Sequence, residues 1–212
     1  MNPLGRDAAI DTAHAALLII DVQNYCISEK VGEGEYFCRS LRDVVLPNIR
    51  RLQSACRQAH IEIVYSVIEN MTRDGRDRSL DYKISGIDVP RGSRDAQVHD
   101  EIAPAEDEMI FRKTSSSVFI STNIDYVLRN LGTRSLVVAG IMTDQCVESA
   151  VRDACDLGYL VTLATDACTT GSGERHEQSL LGLRGYCRQR RTDELLAEIR
   201  LLPAWKRPET SN

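Results

Sequence analysis

No stretch of this sequence approaches the ~18 consecutive apolar residues that a membrane-spanning helix requires. Its N-terminal segment, MNPLGRDAAIDTAHAA, also lacks the long apolar centre of a secretory signal, so a cytoplasmic protein is expected. Basic charge is not in excess: 26 Lys and Arg stand against 31 Asp and Glu, a net charge of −5. That balance argues against a nucleic-acid partner, which calls for a basic face. The basic residues between Arg73 and Arg94 are interleaved with Asp74, Asp77, Asp81, Asp88 and Asp95, a sign-mixed solvated loop and not a polyanion site. There is no CxxC pair, and the seven cysteines (Cys26, Cys38, Cys56, Cys146, Cys155, Cys168, Cys187) are odd in number and widely spread, which excludes a disulfide framework. The four histidines, His14, His60, His99 and His176, are too scattered to make a pair of metal ligands, so no metal is expected. No glycine-rich phosphate loop, GxGxxG or GxxxxGK[ST], occurs, and no cofactor is expected. Repeats and low-complexity tracts are missing too.

What is present is a chain of 212 residues, 42% hydrophobic, enough for one domain with one sizeable core. Short apolar runs alternate with segments of helical period, the pattern of parallel βαβ units. Strands are expected at Ala16–Ile20, Ile61–Ile68, Glu108–Arg112, Ser135–Gly140 and Tyr159–Thr165, with a polar sixth at Cys187–Arg191. Helices are expected over Val44–Gln58, over Ile124–Leu131 with Gly132 as a stop, and over Val147–Leu157 closed by Gly158. Two more are expected at Gly173–Leu183 and Asp193–Leu201. The stretch Glu69–Asp107 has weak periodicity, and a loop of that length is usually functional or partner-facing. The reading is a single α/β domain, 1–212 with a core of about 15–199: three layers, with a six-stranded, mostly parallel sheet between helices. In such sheets ligands bind beyond the carboxyl ends of the strands.

Three reactive groups stand at those ends. Asp21 closes strand one in LLIIDVQN, Lys113 closes strand three in FRKTSSSVF, and Cys146 follows strand four in GIMTDQC. A thiol attacks a carbonyl as its thiolate, and the ordinary thiol pKa of ~8.5 leaves little thiolate at pH 7. Cys146 in the first turn of a helix, with Thr143 or Asp144 as N-cap, is expected to have that pKa lowered, with Lys113 adding a positive charge nearby if the two strands are neighbours. Asp21 is then placed to relay a proton to a poor leaving group such as ammonia, and backbone N–H groups at the turn before Cys146 are placed to hold an oxyanion.

The three blocks LLIIDVQN, FRKTSSSVF and VVAGIMTDQCVESAVRDACDLGY, in this order, resemble those of the isochorismatase-like cysteine hydrolases, a superfamily that includes nicotinamidase, N-carbamoylsarcosine amidase and ureido-hydrolases. The resemblance implies a catalytic triad of Asp21, Lys113 and Cys146. It also implies an oxyanion hole from the backbone N–H groups of Met142 and Cys146, a cis peptide at Ile141–Met142, and a homodimer or homotetramer. Isochorismatases proper typically lack the cysteine, so its presence points to the amidase branch. The Asp-x-His metal motif of nicotinamidases is replaced by Asp81-Tyr82-Lys83.

Gln23, Asn24, Tyr25 and Ile141 are the candidate substrate-binding residues. Ser115–Ser117 read as a hydroxyl-capped turn, Phe119, Cys155 and Cys168 as packing, and His176 as a surface helix residue or a residue at the pocket mouth. Arg73, Arg76, Arg78, Lys83, Arg91 and Arg94 are candidates to receive a substrate carboxylate. The function expected is hydrolysis of a small carboxamide or ureido compound through a thioester on Cys146. The alternatives are a catalytically silent binding or assembly protein and an ether hydrolase of the isochorismate type.

Overall fold

A computed structural model describes residues 5–27 and 34–201. Six strands, β1 (Ala15–Ile20), β2 (Glu62–Ile68), β3 (Met109–Lys113), β4 (Ser135–Ile141), β5 (Leu160–Thr169) and β6 (Arg188–Arg190), form one sheet in the order β3-β2-β1-β4-β5-β6. Every strand pair in that sheet is parallel, not merely most of them. Strand order reverses between β1 and β4, and the crevice at such a switch point is where open α/β sheets place ligands.

Nine α-helices are described: α1 (Asn24–Ile27), α2 (Gly34–Ser40), α3 (Leu46–Gln58), α4 (Leu80–Ile84), α5 (Val118–Ser121), α6 (Ile124–Asn130), α7 (Glu148–Asp156), α8 (Gly173–Leu183) and α9 (Thr192–Leu201). Among the described residues no helix is long and apolar enough to cross a membrane. β1 shows how the layers arise. Its side chains alternate between faces, so Leu17 and Ile19 join the core under α3 and α9, while Ala16, Leu18 and Ile20 join the core under α6 and α7. All six of its residues are buried, as a central parallel strand requires.

Most element ends lie within a residue or so of the sequence reading, and three regions differ more. The helix expected from Val44 begins at Leu46 and is preceded by a wide π-type turn, Leu41–Val45, which joins it to α2. β5 starts one residue later than expected and runs on to Thr169, because beyond a register shift Cys168 and Thr169 still pair with Gly140 and Ile141 of β4. The stretch 69–107 is not structureless: it contains α4 and two short 3-10 turns, and Val98 bridges back to Gln23 in antiparallel fashion.

Close approach of β4 to β1 requires a glycine. Gly140 has φ +127° and pairs with Ile20, and a Cβ there would lie 2.1 Å from the Ile20 carbonyl oxygen. The last residue of β1 before Asp21 is thereby held directly against the strand that leads to Cys146.

Candidate active site

Asp21 follows β1 in a left-handed conformation, φ +54°, which Asp tolerates better than most residues because its short polar side chain bonds locally. Its carboxylate is 1% exposed. Oδ1 accepts a 2.8 Å hydrogen bond from the Ser66 hydroxyl on β2, and Oδ2 lies 2.8 Å from the Lys113 ammonium.

Lys113 reaches that carboxylate from two strands away. β3 and β4 are not neighbours, contrary to expectation; β2 and β1 lie between them, a separation of roughly 14 Å at ordinary strand spacing. The long side chain closes the gap by running over the carboxyl ends of the intervening strands. Lys113 lies two residues after Phe111 and so shares its face of the sheet, the face that packs against Cys146 and Val147. The ammonium is fully buried and donates to the Tyr82 hydroxyl (2.8 Å), to the Ser115 carbonyl (2.8 Å) and to the Cys146 sulfur at 3.4 Å. Burial alone would pull its pKa down, but the charges of Asp21, Cys146 and Tyr82 outweigh it and hold the ammonium well above the usual lysine range.

Cys146 stands in a wide turn, Thr143–Val147, that opens into α7. Neither Thr143 nor Asp144 caps it. Met142 occupies the cap position, and its carbonyl accepts the N–H groups of Gln145 and Val147 on either side of Cys146. The two expected caps are engaged elsewhere. Thr143 Oγ1 is 2.8 Å from His176 Nδ1, while the Asp144 carboxylate takes the Thr170 hydroxyl (2.6 Å) and the Arg175 guanidinium (2.7 Å). The peptide Ile141–Met142 is cis.

The Cys146 thiol is not shifted in the expected direction. Burial pushes its pKa up to about 12; Lys113 pulls the other way, and the charge of Asp21 together with a hydrogen bond to that carboxylate adds to the rise. The resting group is a thiol whose proton is held by Asp21, in contact with an ammonium that stabilises the anion once the proton has gone.

Asp21 and Cys146, though not Lys113 behind them, line a cavity of about 500 Å³, with Tyr25, Ile68, Asp81, Ser116, Ile141 and Met142 among the residues around it. Tyr25 and Ile141 thus stand where a substrate would meet them, but Gln23 and Asn24 do not. Gln23 is fully buried, its Nε2 donating to the carbonyls of Ile68 and Asp95 (2.9 Å each) and its Oε1 accepting the Ile68 N–H. It staples the end of β1 to β2 and to the long loop, so no polar edge remains for a ligand. Asn24 donates to the Arg94 carbonyl at 3.0 Å. His176 is half-buried and braces the Cys146 turn instead of standing free on the surface or lining the cavity, and burial lowers its pKa. Among the described residues no three His, Cys, Asp or Glu side chains converge as metal ligands would.

Two contributors escaped the sequence reading. Tyr82, 1% exposed, accepts from Lys113, donates to the Ser115 carbonyl at 2.9 Å, and lies 3.7 Å from the Cys146 sulfur. It is delivered by α4, which Ser79 starts: its hydroxyl caps the Tyr82 N–H, and its own N–H bonds the Thr114 carbonyl just beyond Lys113. Nothing in DYK, set among charged loop residues, signals that role. Ser66 did carry a signal, as the lone serine in the apolar run IEIVYSVI. Ser115 works through its carbonyl, Ser117 caps α5, and Phe119 packs against Tyr159 at 6.0 Å between ring centroids.

Comparison with known proteins identifies the family. A protein of Arabidopsis thaliana named "Probable inactive nicotinamidase" is 33% identical over 178 residues, 81% of this chain and 88% of that one. A ureidoacrylate amidohydrolase of Rhizobium rhizogenes is 29% identical over 176 residues, 73% of this chain and 70% of that one. A crystal structure of a cysteine hydrolase from Pseudomonas syringae pv. phaseolicola shares the fold, with a TM-score of 0.79 at 24% identity, covering 91% of this chain and 95% of that one. The isochorismatase domain matches residues 15–193, most of the chain, and the protein therefore belongs to the isochorismatase domain family.

Proposed function

We propose that this chain is a cysteine-dependent amidohydrolase, acting on a small carboxamide or ureido compound through a thioester on Cys146. One observation carries the reading: a single buried ammonium, Lys113 Nζ, lies 2.8 Å from a carboxylate and 3.4 Å from a thiol at the edge of an open cavity. A merely structural ion pair has no use for the thiol. The amidohydrolase named among the relatives supports the reaction class.

The steps follow from the positions. Asp21 takes the thiol proton as sulfur bonds to the substrate carbonyl carbon, and Lys113 stabilises the negative charge at sulfur on the way. The oxygen of the tetrahedral intermediate is assigned to the backbone N–H groups of Met142 and Cys146, a type of contact whose loss costs about 3 kcal/mol of barrier. Asp21 then returns its proton to the departing nitrogen, which leaves as ammonia or an amine. Water attacks the thioester, giving its proton to Asp21, and the carbon–sulfur bond breaks to release the acid. Asp21 thus serves first as base and then as acid, a role that general catalysis rewards by about 10²- to 10⁴-fold.

The "inactive" relative favours one competing reading, a silent member of the family. Ammonia release from small amides, run beside Cys146→Ala, separates the two. Release that disappears in a folded Cys146→Ala protein, with a substrate-derived mass on Cys146 in the wild type, supports hydrolysis. Release that persists in Cys146→Ala refutes the thioester mechanism, and silence together with an unreactive Cys146 supports the silent member.

A further inference from the structure

The cavity wall contains two carboxylates, Asp21 and Asp81, and no lysine, arginine or histidine among the described residues. Asp21 is balanced by Lys113 at 2.8 Å, so that pair presents little net charge to a ligand. Asp81 has no such balance: among the described residues its side chain forms no ion pair or hydrogen bond. The six basic residues of the long loop do not line the cavity. Arg78 is spent on the carbonyls of Gly75 and Ile87, Arg76 on Asp74, and Lys83 on the Arg76 carbonyl. The Tyr25 phenol on the same wall has its pKa raised, chiefly by burial, with Cys26 and the carboxylates of Asp88 and Asp95 adding to the rise against a hydrogen bond from the Asp88 backbone.

Resting on the amidase reading above, we infer that this cavity takes amides whose far end is cationic, accepts neutral ones less well, and rejects those bearing a carboxylate. Asp81 is the residue that reads that end. An anionic substrate would surrender its hydration to a cavity that offers a second negative charge in place of a partner. An ammonium gains an unopposed carboxylate. Since Asp81 is itself exposed at the rim, its effect is that of a pair near water, about tenfold in rate per unit charge.

Two measurements test this separately from turnover. The first is the rate at which Cys146, identified by peptide mapping, reacts with a cationic (2-aminoethyl) and an anionic (2-sulfonatoethyl) methanethiosulfonate. The two probes differ by two unit charges, so the cationic-to-anionic rate ratio should fall about 10²-fold in Asp81→Asn and further in Asp81→Lys. A ratio unchanged in both variants overturns the assignment of Asp81. The second is kcat/KM on three matched amides, 4-aminobutanamide, pentanamide and glutaramate. The order cationic, neutral, anionic supports the inference, and preference for glutaramate overturns it. If no small amide is turned over while the reagent ratio still falls with Asp81→Asn, the charge selection stands and the amidase reading fails.

Discussion

Replacing Asp21 by Asn should make Cys146 more acidic and more reactive while destroying turnover. Asn keeps the size of the side chain and tolerates the left-handed backbone at this position, so the β1 end keeps its geometry. In the wild type, Lys113 favours the thiolate, Asp21 opposes it, and burial then sets a value of about 12. Without the carboxylate the Lys113 attraction is unopposed. Two unit charges at the observed 3.4 Å separation interact by about 5 kcal/mol at an effective dielectric of ~20, which corresponds to about three and a half pKa units. That pull is already contained in the wild-type value, so the thiol of Asp21→Asn should titrate below about 12 by the loss of Asp21's opposing charge and hydrogen bond, a fall of that order or less. The new thiolate also replaces Asp21 as counter-ion to the buried ammonium, which limits the penalty of leaving that charge unpaired. The assay is the rate of Cys146 alkylation by iodoacetamide from pH 5 to 10.5, read by mass spectrometry. The wild-type rate should climb without a plateau, while the variant begins to level off. Ammonia release should fall by at least about 10²-fold, because the proton relay is gone. A variant thiol with an unchanged or raised pKa would refute the balance of charges described here.

Tyr82→Phe removes the acceptor for Lys113 and the donor to Ser115 without changing shape; kcat should drop about tenfold or more with the fold retained, since hydrogen bonds to charged groups are worth about 1.5–3 kcal/mol, and an unchanged kcat would remove Tyr82 from the site. Gly140→Ala drives a methyl group into the Ile20 backbone and should cost more than about 3 kcal/mol in urea unfolding; a loss under about 1 kcal/mol would contradict the close approach of β4 to β1. His176 is buried with a lowered pKa, so the unfolded chain binds its proton first as pH falls through the ordinary histidine value. Stability should be fully present above that value and decline as pH drops toward the lower folded one, and His176→Gln should remove that part of the pH dependence in chemical denaturation run at stepped pH.

Sequence by itself determined the architecture, because each central strand is a short apolar run and the longer helices repeat apolar residues at helical spacing. ALLII followed by Asp21 could only be a buried strand with its carboxylate at the rim, and the same logic located Lys113 and Cys146. Tertiary structure decided the rest. Strand order separated β3 from β4, so Lys113 acts by spanning two strands and not as a neighbour. The local pattern around Cys146 suggested an acidified thiol, yet burial and the facing carboxylate raise its pKa, and both depend on residues more than a hundred positions away. Gln23 looked like a ligand-binding amide beside Asp21 until packing gave its whole hydrogen-bonding capacity to Ile68 and Asp95. Tyr82 and Asp81 lie in a loop with no periodicity to read, and only the capping of α4 by Ser79 turns one residue toward Lys113 and Cys146 and leaves the other at the cavity wall. Secondary structure follows from neighbours in sequence, whereas charge balance and burial are set by groups that meet only once the chain has folded.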